Sequence, residues 1–543
     1  MGKYDVFAVG ALFLLAFWLW TLPIQASPIP FGEGDAAWQF TSGDQMYLQD
    51  RADYTIPKYL GYWYYGYNKV LGPHHNEYPP PYPLNIALAQ LFGGDRFVSA
   101  YIMIAILSMS ACMSTFLLVR KLYGLVPGFM AGFAMIFSIR DIMLYLWGQR
   151  GAIISFTFIP AVLYCYYMYM TSDSRQKKNI YLFATVAVLS SQYIFHIQGM
   201  AASIGSIILF TFFLWIKERK FPFTYKEIRE NWKAIMIAAI AFLIVIVPFL
   251  VIYLGPGETH PIQFNNFSRL FSWFKVDDQP GYAQGNVEGY PIIFFSQSMI
   301  YHKWLLPLIF AGLAVLLLRR ETKDLLVLAW AMSVYILIHL DVTGFLNVQR
   351  AARMLIAETA LFYTLIAIGL VGIISFFKIG RNIAAILKYS ICILFVLLII
   401  SNGKIVPQGP AVQAYGTLKN AYGGLLRINQ FQIEAAYWIR DNLPEDALVI
   451  DKGTITYPKL RFMIPYSQHY ITNHLKAMVE ENIISVEQLY YMVDYSDLAL
   501  LGQQSAADSL FEWEKQNFPN STLVYNNNNI HIWHGNIKVF TNA

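Results

Sequence analysis

The chain alternates long apolar runs with short polar segments, and this alternation predicts its main architecture. A helix that crosses a bilayer needs roughly 20 consecutive apolar residues. The clearest run, 234–254, has 21 residues and no charge. The pattern predicts a polytopic α-helical membrane protein of about 11 spans. The predicted spans lie near residues 5–24, 97–119, 125–140, 151–170, 179–195, 199–217, 233–254, 303–319, 324–340, 352–377 and 383–401.

After residue 401 the long apolar runs stop, and short helical and strand patterns alternate instead. This alternation is typical of a small α/β domain. We therefore predict a transmembrane domain, 1–401, and a soluble extracytoplasmic α/β domain, 402–543. Within the second domain, we predict helices at 431–442 and 506–517, and strands at 447–451, 497–501, 521–525 and 530–533.

The composition agrees with a membrane protein. Hydrophobic residues make up 56% of the chain and charged residues 13%, whereas a soluble protein carries about 25% charged residues. The mean hydropathy is +0.42. The net charge of +5 is small, and the lysines and arginines fall mainly in loops of one predicted face, so no nucleic-acid partner is predicted. The three cysteines lie in apolar runs, without zinc spacing or an evident disulfide partner.

The distribution of basic residues predicts the orientation. Lysine and arginine concentrate in cytoplasmic loops. They fit that rule when the N-terminus is cytoplasmic, as in the stretches 217–233 and 319–323. The first apolar run has no clear cleavage site and is interpreted as an uncleaved first helix. An odd number of spans then places the C-terminal domain outside the cytoplasm.

Acidic residues cluster where the chain leaves the first span, in "FGEGDAAWQF" (31–40). Glu33 and Asp35 lie among glycines, and Asp44 follows them. A partly shielded carboxylate can take a proton from a substrate hydroxyl or hold a divalent cation such as Mg or Mn. The alternative is that Asp35 only caps a helix through its side-chain oxygen.

Further candidates lie in other predicted outer segments. The stretch "HHNEYPPPYP" (74–83) contains His75, Glu77 and Tyr78, which either bind a substrate or a metal or belong to an ordinary solvated loop. His196 is another substrate-binding candidate at a predicted helix end.

Two basic segments are candidates for binding an anion. In "IRDIMLYLWGQRGA" (139–152), predicted as an outer loop, Arg150 is placed to meet an anion and Asp141 to join Asp35. The alternative is a surface loop in which Arg140 and Asp141 have only a structural role.

The segment "NVQRAARMLIAE" (347–358) opens the tenth predicted span. Arg350 and Arg353 are suited to hold a phosphate, because a guanidinium group contacts phosphate oxygens in a bidentate way. Glu358 follows about one turn deeper. The alternative for the arginines is an ordinary contact with lipid headgroups at the membrane surface.

Together, these features resemble the class C glycosyltransferase superfamily, whose polytopic members use polyprenyl-phosphate-linked sugars. The matching segments are "FGEGDAAWQF", "EYPPPYPLNIALAQLFGG", "YLWGQRGA" and "VQRAARMLIAE". The C-terminal pattern "AAYWIRDNLPEDALVI" (435–450) is similar to the outer domain of uncharacterised prokaryotic members. The chain lacks the Trp-Trp-Asp-Tyr-Gly motif of oligosaccharyltransferase catalytic subunits, which favours transfer of a single sugar.

The resemblance implies a hexosyl- or pentosyltransferase that uses a lipid-linked donor and a glycan, lipid or protein acceptor. Asp35 would be the general base or a residue that orients the acceptor, and Glu33 is a second catalytic candidate. Arg353, Arg350 and Arg150 would hold the donor phosphate. Two other functions stay open: a transporter or flippase of lipid-linked sugars, and a non-catalytic membrane scaffold.

Overall fold

The computed structural model describes most of the chain in two compact units. The described residues are 2–26, 31–32, 36, 39–40, 43–44, 46–47, 81–148, 150–219, 225–254, 263–264, 305–342, 346–347, 355–377, 379–401, 409–420, 428–444, 447–452, 469–470, 485–500 and 502–535. The first unit contains Met1–Leu22, Ile104–Tyr145 and Arg150–Lys419. The second contains Pro23–Met103, Leu146–Gln149 and Asn420–Ala543.

Helices form nearly all of the described part of the first unit, whereas the helical residues 23–26, 81–90 and 96–103 belong to the second unit. Up to residue 254, the helices are α1 (Lys3–Trp20), α2 (Leu22–Ala26), α3 (Pro81–Gln90), α4 (Arg96–Tyr123), α5 (Leu125–Ile136), α6 (Ile139–Trp147), α7 (Arg150–Thr157), α8 (Ile159–Thr171), α9 (Arg175–Phe195), α10 (Ile197–Glu218) and α11 (Tyr225–Leu254). They continue with α12 (Leu306–Arg319), α13 (Thr322–Val342), α14 (Thr359–Gly372), α15 (Arg381–Ile400) and α16 (Pro410–Asn420). The 3-10 turns Leu355–Glu358 and Ile373–Phe376 flank α14, and strands β1 (Gln263–Phe264) and β2 (Leu346–Asn347) pair antiparallel.

The predicted polytopic helical fold is confirmed. Within the described residues, 8 helical segments are long and apolar enough to cross a membrane: Lys3–Trp20, Arg96–Tyr123, Leu125–Leu146, Arg150–Thr171, Ile197–Glu218, Thr322–Leu340, Thr359–Phe376 and Arg381–Ile400. Each coincides with a predicted span. Shorter apolar helices lie at Asn231–Ile246 and Leu306–Arg319. The total of 11 spans and the division at residue 401 stay predictions.

The third span is longer than predicted. Helix α5 ends at Ile136, and after a short break α6 continues the span to Leu146. The interpretation of 139–152 as an outer loop was therefore wrong. Arg140 and Asp141 lie in the first turn of a helix, and Asp141 is only 4% exposed. The same burial excludes an exposed surface loop for these two residues, and a purely structural role for them stays an alternative prediction.

Tertiary contacts of polar side chains join the helices of the first unit. Trp20 Nε1 donates a hydrogen bond to the Ile136 carbonyl at 3.1 Å, and this bond ties the end of α1 to α5. Ser333 Oγ on α13 donates to the Ala202 carbonyl on α10 at 3.0 Å. Within a membrane the hydrophobic effect does not drive helices together, because lipid tails are as apolar as the side chains. Side-chain hydrogen bonds between helices therefore contribute to helix association.

Ion pairs close one end of the same unit. Arg120 Nε lies 2.7 Å from Asp5 Oδ1, and Arg319 Nη2 lies 2.5 Å from Asp324 Oδ1. Tyr123 also donates to Asp324 at 3.0 Å. These pairs join the ends of α1, α4, α12 and α13 at the face that the basic residues predict to be cytoplasmic.

The second unit contains a mixed five-stranded sheet. Its strands are β3 (Leu448–Lys452), β4 (His469–Tyr470), β5 (Leu489–Asp494), β6 (Ser521–Asn526) and β7 (Ile530–Gly535), in the order β4-β3-β5-β7-β6. Strand β3 runs parallel to β4 and β5, whereas β7 runs antiparallel to β5 and β6. The accompanying helices are α17 (Gln430–Asn442), α18 (Ser496–Leu500) and α19 (Gln504–Asn517).

The predicted α/β character of the C-terminal region is confirmed, but the prediction of one strand was wrong. Residues 497–500 of the predicted strand lie in α18, and the strand precedes them as "LYYMVD" in β5. The Tyr- and Val-rich run suits a strand, whereas Leu and Ala favour a helix. Asp494, at the end of β5, accepts a hydrogen bond from the backbone N–H of Ser496 at 2.8 Å, which turns the chain into the helix.

Glu514 joins α19 to the sheet. Its side chain is 4% exposed, and it accepts hydrogen bonds from His531 at 2.7 Å, from Trp533 and from Tyr495. Burial alone would raise the pKa of Glu514. The hydrogen bonds from His531, Tyr495 and Trp533 more than offset this effect, so the pKa of Glu514 lies below its usual value.

Glu514→Gln is expected to destabilise this domain by about 1–3 kcal/mol at pH 7, because charge-assisted hydrogen bonds are lost. In the unfolded chain the pKa of Glu514 is about 4.3, and above this pH its lowered folded-state pKa stabilises the folded protein fully. As the pH falls through the folded-state pKa, the carboxylate is protonated and this stabilisation is lost. The difference between the variant and wild type should therefore shrink below pH 4.

Hydrogen exchange of peptides from β7 in the full-length protein, corrected for intrinsic exchange rates, measures this effect at pH 7 and at about pH 3. The control is Glu512→Gln, because Glu512 pairs only at the surface with Lys515. Its expected effect is below about 0.5 kcal/mol. Equal effects of the two variants would show that the Glu514 contacts do not stabilise the domain.

Candidate functional site

Several predicted site residues lie outside the part of the chain that the structure describes. These residues are Glu33, Asp35, His75, Glu77, Tyr78, Arg350 and Arg353. Their roles stay predictions. Phe31 and Gly32 before the Glu33–Asp35 segment and Ala36 after it are described.

The chain is fixed just before Glu33. The Tyr101 hydroxyl on α4 donates to the Phe31 carbonyl at 2.8 Å and accepts from the Phe31 N–H at 3.2 Å. The two rings lie 4.7 Å apart, and Phe31 is fully buried. Gly32 then has φ of +123°, a conformation that favours glycine. One side chain therefore satisfies both backbone groups of Phe31 and fixes the backbone at that residue.

The chain is fixed again directly after Asp35. Ala36 is helical and fully buried. A Cβ atom at Gly148 would lie 2.4 Å from the Ala36 Cβ, and Gly148 has φ of +95°. Only glycine fits this close approach without strain. Gly148 lies in the connection between α6 and α7, the helices that carry Asp141 and Arg150.

In the first unit, the structure brings two predicted acidic residues to one buried cluster with Arg140. Arg140 Nη1 lies 3.9 Å from Glu358 Oε1. Glu358 is fully buried in the 3-10 turn before α14, and Asp141 is adjacent to Arg140 on α6. The Thr359 side chain hydrogen-bonds to Asp141, which links the start of α14 to α6.

The local sequence explains where α6 starts. Ser138 and Asp141 form a Ser-x-x-Asp pattern, which is a common start signal for a helix. The Ser138 hydroxyl donates to the Asp141 carboxylate, and its oxygen lies 3.5 Å from the Asp141 N–H. This arrangement turns Asp141 back onto the first turn, whereas the neighbouring Arg140 side chain extends towards Glu358.

Glu358 is the least satisfied acidic group in the described part of the chain. Neither of its carboxylate oxygens has a hydrogen-bond partner among the described residues, although both are buried. A buried carboxylate without donors is costly, and ionisable groups at membrane depth are often functional. Glu358 can therefore accept hydrogen bonds from hydroxyl groups of a ligand, and among the described residues Arg140 is the cation that pairs with it.

Arg150 is also buried, at 1% exposure, at the start of α7. Its guanidinium carbon lies 6.0 Å from the centre of the Tyr145 ring. The Tyr145 hydroxyl donates to the Trp20 carbonyl at 3.1 Å, which fixes the ring at the end of α1. Helix α7 packs against the turn that carries Glu358. The helix that begins at Arg150 therefore borders the turn that carries Glu358.

Asp44 has its own partners in the second unit. It accepts hydrogen bonds from Arg96 at 2.5 Å and from Gln90 at 2.9 Å. Burial raises the pKa of Asp44, and the Arg96 charge and the Gln90 hydrogen bond only partly oppose this. The contacts with Gln90 and Arg96 join Asp44 to α3 and α4. This geometry favours a structural role, and substrate binding by Asp44 stays a prediction.

His196 lies at the junction of α9 and α10. Its ring Nδ1 accepts a hydrogen bond from the Gln198 N–H at 3.4 Å and caps α10. The half-buried ring thereby helps to set the turn between two helices. A contact of His196 with substrate stays a prediction.

The described part of the chain contains no candidate metal site. Among the described residues, no group of three or more His, Cys, Asp or Glu side chains is placed to hold a metal ion. The prediction of a divalent cation rests on Glu33 and Asp35, which lie outside these residues.

Sequence reasoning did not identify Tyr101 and Thr359 as site residues, and it did not connect Arg140 with Glu358. The Ser-x-x-Asp pattern at 138–141 was a signal for a helix start and could have corrected the predicted loop. No local signal identifies the partner of Arg140, because Glu358 lies far away in the sequence.

No protein-family model and no curated protein sequence matches the chain. Among solved structures, the chain is similar to ArnT from Cupriavidus metallidurans. The apo form is 11% identical and matches over 99% of this chain and 98% of that chain, with a TM-score of 0.56. The form bound to undecaprenyl phosphate is 10% identical and matches over 98% and 97%, with a TM-score of 0.55.

The chain is also similar to the oligosaccharyltransferase of Archaeoglobus fulgidus. Its apo form is 13% identical and matches over 98% of this chain and 75% of that chain, with a TM-score of 0.54. The protein is also seen in complex with an inhibitory peptide and a dolichol-phosphate, with a TM-score of 0.51. Over nearly its whole length, the chain therefore shares its fold with ArnT and with this archaeal oligosaccharyltransferase.

Proposed function

We propose that the protein is a membrane glycosyltransferase that moves a hexosyl or pentosyl group from a polyprenyl- or dolichyl-phosphate carrier. The acceptor is an extracytoplasmic glycan, lipid or protein. The observation that carries this proposal is the fold similarity over 98% of the chain to a protein bound to undecaprenyl phosphate. The second similar protein is an oligosaccharyltransferase seen with a dolichol-phosphate.

In the proposed reaction, Asp35 takes the proton of an acceptor hydroxyl. The hydroxyl oxygen forms a bond to the anomeric carbon of the sugar, and the bond between that carbon and the carrier phosphate oxygen breaks. The lipid phosphate leaves with the bonding electrons. Direct displacement inverts the anomeric configuration. Arg353, Arg350 and Arg150 hold the phosphate and stabilise its developing charge.

Asp35 and the buried cluster have separate roles in this proposal. Tyr101 and Gly148 position the chain on either side of Glu33 and Asp35, and Glu33 supports the base. Glu358 accepts hydrogen bonds from sugar hydroxyl groups, and Arg140 and Asp141 orient the cluster. Reacting groups must be placed within fractions of an ångström, and an error of about 1 Å can cost 10²-fold in rate.

The test is a donor panel with purified protein. Polyprenyl- and dolichyl-phosphate sugars and the corresponding nucleotide sugars are offered with an extract of membrane acceptors. We expect consumption of at least one lipid-linked donor and of no nucleotide sugar. Consumption of a nucleotide sugar alone would refute the proposed donor class. Tight binding of lipid-linked donors without consumption would favour a flippase.

Tyr101→Phe is expected to lower kcat/KM for this transfer by about 10–100-fold, because the Phe31 backbone loses both hydrogen bonds and the following acidic residues shift. The assay is initial-rate transfer, normalised to folded protein. The control is Tyr166→Phe. It removes a hydroxyl on α8 whose oxygen lies 2.7 Å from Thr211 Oγ1 on α10. Normal transfer by Tyr101→Phe would refute the positioning role.

A further inference from the structure

A cavity of about 660 Å³ opens in the first unit between α10, α12, α13 and α14. Its size falls in the usual range for ligand sites, about 300–1,000 Å³. It does not contain the residues of the candidate site. The lining includes Leu325 and Tyr335 on α13, which lie ten positions apart and therefore span about 15 Å.

The walls of this cavity are almost entirely apolar. Phe213, Leu313 and Phe362 line it from three different helices. Leu317 and Met332 also line it, and they remain 53% and 45% exposed. In a chain that crosses a membrane, such a long groove with exposed walls opens towards the lipid chains.

The cavity has a basic mouth. Lys217, at the end of α10, and Arg320, directly after α12, are its charged lining residues. Lys217 Nζ lies 3.3 Å from Thr322 Oγ1, which brings the end of α10 to the turn between α12 and α13. Both cations are exposed, and neither pairs with a carboxylate of any described residue.

We propose that this cavity binds one anionic glycerophospholipid. The lipid phosphate contacts Lys217 and Arg320 at the membrane surface, and one acyl chain lies along α13. Basic residues near the membrane surface attract anionic lipids by about 1 kcal/mol each. A zwitterionic lipid brings its own cation to the mouth, so the two protein cations favour an anionic headgroup.

Native mass spectrometry of delipidated protein, titrated with phosphatidylglycerol or phosphatidylcholine, tests this proposal. We expect one tightly bound phosphatidylglycerol, with affinity at least about tenfold above that for phosphatidylcholine. The Lys217→Ala/Arg320→Ala variant should lose this preference. Because both side chains are exposed, the variant is expected to keep its fold.

The matched control is Lys121→Ala/Lys177→Ala, which removes two exposed cations of the same predicted face that do not line the cavity. It should keep the preference. Ala331→Phe, which fills the cavity, should weaken binding of both lipids. Unchanged phosphatidylglycerol binding in both the charge variant and the filled variant would overturn the proposal. Displacement of phosphatidylglycerol by an equimolar polyprenyl phosphate would also overturn it, by identifying a different occupant.

Discussion

Asp35→Asn is expected to lower sugar transfer by about 10²–10⁴-fold, because an amide cannot take up the proton of the acceptor hydroxyl. The substitution also separates the two interpretations of this residue. Asparagine caps a helix about as well as aspartate. A purely capping role therefore predicts normal transfer by the variant, whereas a general base predicts near-complete loss.

The assay is initial-rate transfer with the preferred lipid-linked donor, alongside donor affinity. Donor binding should stay within about threefold of wild type, because the arginines and not Asp35 hold the phosphate. The control is Asp173→Asn, which changes an exposed aspartate between α8 and α9. Full activity of Asp35→Asn would remove Asp35 from the mechanism.

Arg140→Met is expected to destabilise the folded protein by about 3–5 kcal/mol. The variant removes the cation that pairs with the fully buried Glu358, and breaking one side of a buried pair is costly. Glu358→Leu in the Arg140→Met background should restore most of the loss, because it removes the unpaired acid. The measurement is thermal unfolding in detergent, followed by intrinsic fluorescence.

The matched control is Arg120→Met. Arg120 pairs with Asp5 at 2.7 Å, but its side chain is 37% exposed, compared with 12% for Arg140. A partly exposed pair contributes about 1 kcal/mol or less. Equal losses in the two single variants, or no recovery in the double variant, would show that Arg140 does not compensate the Glu358 charge.

The sequence predicted the membrane-spanning segments well because lipid imposes a minimum length and an apolar composition on each helix. The third span was the exception. Arg140 and Asp141 resemble an outer loop in the sequence, yet they continue the span because Glu358, Ser138 and Thr359 contact them. The Ser-x-x-Asp pattern at 138–141 was a local signal for the start of the helix, whereas the pairing of Arg140 with Glu358 leaves no local pattern.

In the C-terminal domain, β3, β6 and β7 and two helices were predicted from local patterns. The error at 497–501 has a local cause, since five residues rich in Leu and Ala do not distinguish a buried strand from a helix. The short strand β4 was missed. It consists of only two residues and pairs parallel with β3, so its presence depends on the sheet.

The candidate site could be predicted only in part. Asp141, Arg150 and Glu358 were selected because charged residues near membrane depth are costly, and all three are buried. Tyr101 could not be selected, because a tyrosine in an apolar helix is common at membrane interfaces. Its role follows from one contact, with the backbone of Phe31.

The most direct test of the central claim is the stoichiometry of the products. Purified protein in liposomes is given a lipid-phosphate sugar labelled in both the sugar and the lipid, together with acceptor. A glycosyltransferase releases one polyprenyl or dolichyl phosphate for each glycosylated acceptor, and the account predicts this 1:1 ratio. Movement of intact donor across the bilayer without release of lipid phosphate would contradict it.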